Sequence, residues 1–161
     1  MSRQFRKTRD RPPEVYGISY DGGEGADFIC GKMPGVLPDD LGHGVALFNQ
    51  ADFFDAHEAL EDIWRAAPGP EKKFLQGLIQ VAVALYHHGN GNMIGARSVL
   101  RRGFRNLSRY PEGFGGIHLA SLLKSVSDWQ RALDEGTPVP PALPKIVIQS
   151  SVVSRSSGKI R

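Results

Sequence analysis

A histidine and a carboxylate one helical turn apart are the residues of this chain best suited to chemistry. They are His57 and Glu61, within the stretch from Phe53 to Trp64. At about 100° per residue, Glu61 lies about 40° from His57, and both fall inside a wide arc of apolar side chains. An ionised glutamate is almost never fully buried unless it is paired or bound to a metal. The pattern therefore predicts a metal site or a buried polar network at this position.

A second polar stripe lies on the next predicted helix, which is otherwise apolar nearly all round. Its members are Gln76, Gln80 and His87, which fall within about 40° of one another at the helical period. An apolar helix of this kind is central in its bundle. The stripe is either the solvent-facing edge of that helix or, if it faces His57 and Glu61, part of one internal cluster.

The metal hypothesis assigns a role to each of these polar residues. His57, Glu61 and His87 would bind a divalent ion such as zinc, manganese or iron, with one coordination position left open. Glu58, at the boundary of the hydrated face, would act as general base on metal-bound water. The side chains around the pocket would be Gln76, Gln80 and Trp64.

The spacing does not reproduce the established metal motifs. A metalloprotease helix needs His-Glu-x-x-His, but Glu61 stands where the second histidine would be. Ferritin-like di-metal sites need Glu-x-x-His, which the chain lacks. Two alternatives therefore stand beside a metal-dependent enzyme. In one, the cluster is a structural polar network that specifies helix packing. In the other, the chain is a non-enzymatic bundle that binds a partner or a small ligand.

A row of arginines marks a third candidate feature. Arg97, Arg101 and Arg105 are four residues apart on one helix, so their like charges repel unless acids or an anion lie among them. Acidic residues of neighbouring helices would satisfy them structurally. The functional interpretation is a surface for an anion or a partner.

The predicted architecture is all-α, a single compact bundle of about five helices spanning residues 39–136. The first helix begins near Asp39 or Asp40, and the others follow the turn signals at Pro68-Gly69-Pro70, Gly89–Asn92 and Tyr110–Gly116. Residues 1–38 are predicted to form a basic, Gly- and Pro-rich tail and loop. Residues 137–161 are predicted to be a disordered tail, although Ile146-Val147-Ile148 has the composition of a short strand.

Composition excludes several classes of protein. One cysteine, Cys30, rules out an internal disulfide framework and a cysteine-rich zinc site. No apolar run reaches the roughly 18 residues of a membrane span, and no apolar region follows the basic N-terminus as in a secretory signal. We therefore expect a cytoplasmic protein with no membrane partner. The net charge of +3 is modest, and no nucleic-acid module is present. The partner is unknown, and a homo-oligomer stays open.

Several motifs in fixed order resemble a known family. The motif His57-Glu58-x-x-Glu61-x-x-Trp64 is preceded by Phe48-Asn49 and followed by Phe74–Gln80, Ala84–His87 and Gly91-Asn92-x-x-Gly95-Ala96. This order resembles the family catalogued as domain of unknown function 309, over roughly residues 43–134. The resemblance implies a small, soluble, all-helical bundle and carries the family's label of a predicted metal-dependent hydrolase. The residues carried over from the family are His57, Glu58, Glu61, Trp64, Gln76, Gln80 and His87.

Overall fold

The computed structural model describes residues 41–138 and 140–149. Within these ranges there are five α-helices and one short 3₁₀ turn, so the all-α prediction is confirmed. The helices are α1 Leu41–Asn49, α2 Phe53–Ala66, α3 Gly69–Gly89, α4 Met93–Leu107 and α5 Leu119–Glu135, and the 3₁₀ turn is Phe114–Gly116. The predicted start of α1 at Asp39 or Asp40 and the predicted tail 1–38 lie outside the described residues.

Helix boundaries follow the local chemistry of the sequence. Pro70 lies in the first turn of α3, where its missing N–H costs no hydrogen bond. Asn92 caps α4, because its side-chain oxygen accepts a hydrogen bond of 2.9 Å from the N–H of Gly95. Gly136 ends α5 in the left-handed conformation, with φ of 65°. Asp52 precedes α2 without a side-chain capping bond.

The helix α3 is the centre of the bundle. It packs against both α2 and α4, while α1 packs on α2 and α5 packs on α4. Its residues from Phe74 to Ala82 are buried without interruption, as expected for a helix with neighbours on several sides. Trp129 of α5 is 2% exposed and belongs to the core.

The α3–α4 contact depends on two glycines. A Cβ atom on Gly77 would lie 2.7 Å from Cγ of Leu107, and one on Gly103 would lie 3.1 Å from the carbonyl oxygen of Gly77. Both distances are tighter than ordinary van der Waals contact. The absence of these side chains therefore allows the two helices to approach closely.

An aromatic cluster closes the end of the bundle near the start of α3. The rings of Tyr110 and Phe114 lie 5.3 Å and 4.8 Å from that of Phe74. The hydroxyl of Tyr110 donates a hydrogen bond of 2.6 Å to the carbonyl oxygen of Pro70. Burial raises the pKa of Tyr110 to about 12, because a phenolate would lose its hydration there.

Residues 140–149 do not form the disordered tail that the sequence predicts. They lie across the bundle, where Pro144 is buried and Ile146 is 2% exposed. An isolated antiparallel bridge joins Ile148 to Ile117. The prediction of disorder from residue 137 is therefore wrong for residues 140–149, because apolar burial and hydrogen bonds offset the entropy of ordering them. Residues 150–161 lie outside the described part of the chain.

Within the described ranges, no helix is both long and apolar enough to cross a membrane.

Gly77→Ala tests the close approach of α3 and α4. We expect a loss of about 1–3 kcal/mol in the free energy of unfolding, because the added methyl group overpacks the interface against Leu107. Gly89→Ala is the matched control, since a Cβ at Gly89 meets nothing within 4 Å. It should be neutral or stabilising by up to about 1 kcal/mol. Urea denaturation of both variants measures the difference, and equal stabilities would contradict the packing described.

Candidate functional site

The helix α2 places His57 and Glu61 on its inner side, but in different environments. His57 is 7% exposed and belongs to the buried set of α2. The side chain of Glu61 is 18% exposed and lies 3.4 Å from the guanidinium of Arg65. The predicted core-facing orientation is therefore confirmed for His57. Glu61 instead reaches the edge of the interface, where it has a cationic neighbour one turn along its own helix.

The orientation of the His57 ring is set by its own helix. Its Nδ1 contacts the carbonyl oxygen of Phe54, one turn earlier. A carbonyl can only accept, so Nδ1 carries the proton and the lone pair of the neutral ring is on Nε2. The Phe54 ring stands edge-on to the imidazole, 4.9 Å between centroids, and also contacts Tyr86 of α3 at 5.6 Å. His57 is thus held in one tautomer between α2 and α3.

The polar stripe of α3 is bonded to α4. Gln76 and Gln80 are 6% and 7% exposed, so neither is at a solvent-facing edge. The amide nitrogen of Asn106 donates a hydrogen bond of 2.9 Å to the side-chain oxygen of Gln80. This bond connects the stripe to α4.

His87 lies at the turn between α3 and α4. Its Nδ1 is 3.4 Å from the amide nitrogen of Asn92, the residue that caps α4. Burial lowers the pKa of His87 below its ordinary value of 6.5. The folded state therefore favours the neutral ring. Protonation opposes folding, so the stabilising contribution at higher pH is lost as the pH falls below about 6.5.

The three predicted metal ligands lie on two helices, His57 and Glu61 on α2 and His87 near the end of α3. Among the described residues, no group of three His, Cys, Asp or Glu side chains is arranged to hold a metal ion. A metal centre made of His57, Glu61 and His87 stays a prediction.

The remaining residues of the hypothesis are dispersed. Glu58 is exposed on the outer face of α2. Trp64 is half-buried and lies beneath the ammonium group of Lys72, 5.2 Å from the ring centroid, which is cation–π geometry. Trp64 therefore helps to join the beginning of α3 to the end of α2. Binding of a metal by other groups, and any hydrolytic activity, stay predictions.

The arginine row forms the wall of a surface groove. The groove measures about 360 Å³ and is lined by Ile94, Arg97, Ser98, Arg101, Arg102 and Arg105. One carboxylate of α5, Asp134, lies 3.1 Å from Nε of Arg97 and 2.8 Å from a terminal nitrogen of Arg101. Arg97 also donates to the carbonyl oxygen of Leu133. The predicted pairing with acids is thus confirmed for Arg97 and Arg101.

Two arginines of the groove are not neutralised in this way. Arg102 and Arg105 are exposed, and no ion pair involves either of them within the described ranges. We call the four side chains Arg97, Arg101, Arg102 and Arg105 the arginine face. Sequence periodicity identified three of its members. It did not identify Asp134, because an acid near the end of an exposed helix has no distinguishing pattern.

Part of the helical segment matches a known protein family. Residues 41–99 match the family model described as "Domain of unknown function (DUF309)". The family resemblance predicted from the motifs is therefore confirmed for these residues. The DUF309 match covers α1 to α3 and the first half of α4, so it includes His57, Glu61 and the polar stripe. Arg101, Arg102 and Arg105 lie beyond it.

Two curated proteins are similar to this chain, and both are described as uncharacterised. One, from Aquifex aeolicus (strain VF5), is 34% identical over 76 residues, which is 47% of this chain and 23% of that protein. The other, YpuF of Bacillus subtilis (strain 168), is 40% identical over 81 residues, 47% of this chain and 47% of that protein. The chain thus covers less than half the length of either relative.

Asn106→Ala tests whether the polar stripe supports the fold. It removes the donor to Gln80 and leaves a buried amide oxygen unpaired, which should cost about 1–3 kcal/mol of unfolding free energy. Replacing both residues by leucine should recover part of the loss, because no polar group is then left unsatisfied. Thermal or urea denaturation gives both values. An Asn106→Ala protein as stable as the wild type would show that the bond contributes nothing.

His57→Ala separates the structural and metal hypotheses. Loss of the buried ring should lower the unfolding free energy by about 1–3 kcal/mol. Elemental analysis of protein purified without an affinity metal should give the same zinc, manganese and iron content for the wild type and the variant. One metal equivalent in the wild type, lost in a variant that still folds, would instead establish His57 as a ligand.

Proposed function

We propose that the described bundle is a non-enzymatic binding module whose arginine face binds an acidic segment of a partner protein. The observation that carries this proposal is the groove itself, which four arginines line while one carboxylate, Asp134, pairs with only two of them. Arginines repeated every four residues repel one another. An anionic partner relieves that repulsion and gains charge-assisted hydrogen bonds from planar guanidinium groups.

The apolar residues at the start of α4 favour a protein partner. Ile94 lines the groove and is 83% exposed, and its neighbour Met93 is 44% exposed. An exposed apolar side chain beside cationic groups suits a segment with one apolar anchor and several carboxylates. None of the described residues that line the groove is aromatic, so a surface for stacking bases is missing there.

The length of the arginine face limits the size of the segment. Arg97 and Arg105 are eight residues apart on α4, which corresponds to about 12 Å. An extended peptide rises about 3.3 Å per residue, so roughly four residues span this distance. We therefore expect an acidic segment with two or three carboxylates near one aliphatic side chain.

The internal polar residues support the fold in this proposal. Gln80 is bonded to Asn106, and the ring of His57 is oriented by the Phe54 carbonyl. Buried networks of this kind specify one packing of helices. A hydrolase is implied only by the family resemblance, and the geometry of the described residues supplies no assembled set of ligands for it.

Reversal of charge at Arg105 tests the proposal. The probe is a fluorescein-labelled peptide that carries one leucine followed by three glutamates, measured by anisotropy at low salt. Arg105→Glu should weaken its binding at least about tenfold, equivalent to about 1.4 kcal/mol, with little change in melting temperature. Lys73→Glu, an equal reversal at an exposed position of α3, should bind like the wild type.

Two further probes identify the class of partner. A peptide with serine in place of leucine should bind more weakly, because Ile94 then lacks its apolar contact. A single-stranded oligonucleotide with the same number of charges should bind more weakly than the leucine peptide. If the oligonucleotide binds more tightly than the leucine peptide, the assignment to a protein segment is wrong. If the Arg105→Glu variant binds every probe as tightly as the wild type does, the proposed face is wrong.

A further inference from the structure

The segment from Pro140 to Gln149 lies on the bundle in the manner of a bound peptide. We call it the strap. It contacts three separate places: Asn49 at the end of α1, Trp129 of α5, and the backbone of residues 116–118. We call this receiving surface the strap site. Asn49 is 97 residues from Ile146, so non-covalent contacts hold the strap against α1.

The strap site recognises mainly backbone. The side-chain amide of Asn49 bonds both backbone groups of Ile146, accepting from its N–H at 2.8 Å and donating to its carbonyl at 2.9 Å. The indole N–H of Trp129 donates to the carbonyl oxygen of Ala142 at 2.9 Å. Farther along, the N–H of His118 donates to the carbonyl oxygen of Val147 at 2.9 Å. Side chains that bond a backbone in this way position an extended segment without specifying its sequence.

Three consecutive strap residues supply the sequence preference. Pro144 is buried and Ile146 is 2% exposed, so these side chains occupy apolar positions two residues apart. Between them, the ammonium group of Lys145 donates to the carbonyl oxygen of Asn49 at the end of α1. A cation is favourable there, because the carbonyl end of a helix carries partial negative charge. The site therefore recognises, in chain order, a proline, a basic residue and a β-branched residue.

The rest of the strap faces outward. Leu143, Val147 and Ile148 are 40%, 47% and 45% exposed. A segment whose purpose is to complete the core would bury its large apolar side chains, but only Ile146 among the strap's large aliphatic residues is buried. Alternation of anchored and outward residues, with backbone bonds at intervals, is the arrangement of extended peptides on recognition domains.

From these contacts we infer that the strap site is a peptide-recognition site, and that the strap is its intramolecular ligand. Its external ligand is an extended segment of another protein with the pattern proline, Lys or Arg, and Ile or Val. The external segment displaces the strap and makes the same bonds to Asn49 and Trp129. Because a tethered ligand has an effective concentration in the millimolar range, the strap weakens apparent binding of any competitor. This site is independent of the arginine face.

Displacement of the strap in the 161-residue chain tests the inference. The probe is a labelled decapeptide with the sequence of residues 140–149, titrated by fluorescence anisotropy. Ile146→Asp places a charge in an apolar position and should release the strap, so the probe should bind this variant at least tenfold more tightly than the wild type. Val147→Asp is the matched control, since Val147 is exposed, and it should bind the probe as the wild type does. A probe with aspartate at the position of Ile146 should not bind.

A milder substitution is used if the Ile146→Asp variant does not fold. If Ile146→Asp loses its helical circular dichroism, Ile146→Ala takes its place, and a smaller gain of at least threefold is expected. Absence of probe binding to a folded Ile146 variant would overturn the inference. Equal binding to the Ile146 and Val147 variants would also overturn it, because the strap would then not be the competitor. Asn49→Ala introduced into the Ile146 variant should abolish the gained binding, whereas unchanged binding would place the probe elsewhere.

Discussion

The close approach of α3 and α4 is the constraint on which the described bundle depends. At Gly103 a side chain would meet the backbone of α3, and at Gly77 it would meet Leu107. Two helices so close bring short polar side chains within bonding distance, and Asn106 reaches Gln80 for this reason. Because α4 covers one side of α3, α2 packs against another side. The bond between Gln80 and Asn106 therefore depends on two residues that have no side chains.

The metal hypothesis rests on the internal histidine and glutamine residues. Their types and spacing suit metal binding, and they lie within the residues that match DUF309. In the structure, Nδ1 of His57 contacts the Phe54 carbonyl of its own helix, and Gln80 is bonded to Asn106 of α4. Buried amides and imidazoles satisfied in pairs are expected in the interface of a small bundle. Arg102 and Arg105, by contrast, are exposed on the outer side of α4.

The sequence could predict the parts of the structure in which side chains repeat with the helical period. Helical periodicity placed His57 in the core-facing arc of α2, and turn signals such as Pro68-Gly69-Pro70 marked the helix ends. Periodicity reports burial but does not identify partners. Asn106 borders the apolar side of α4 without any signal that its partner is Gln80. The strap was missed for a related reason: its backbone is irregular, and its stability comes from Asn49 and Trp129, which are distant in the chain.

The bond between Asn49 and Ile146 joins residues 97 positions apart. Contacts between chain neighbours, such as α1 with α2 and α3 with α4, close short loops and form rapidly. The Asn49–Ile146 contact instead closes a loop that includes almost the whole described chain. The entropic cost of closing this loop is larger because the loop is much longer. During synthesis, the end of α1 leaves the ribosome long before the segment that covers it. The nascent chain therefore exposes the end of α1 to its surroundings until the strap has been translated.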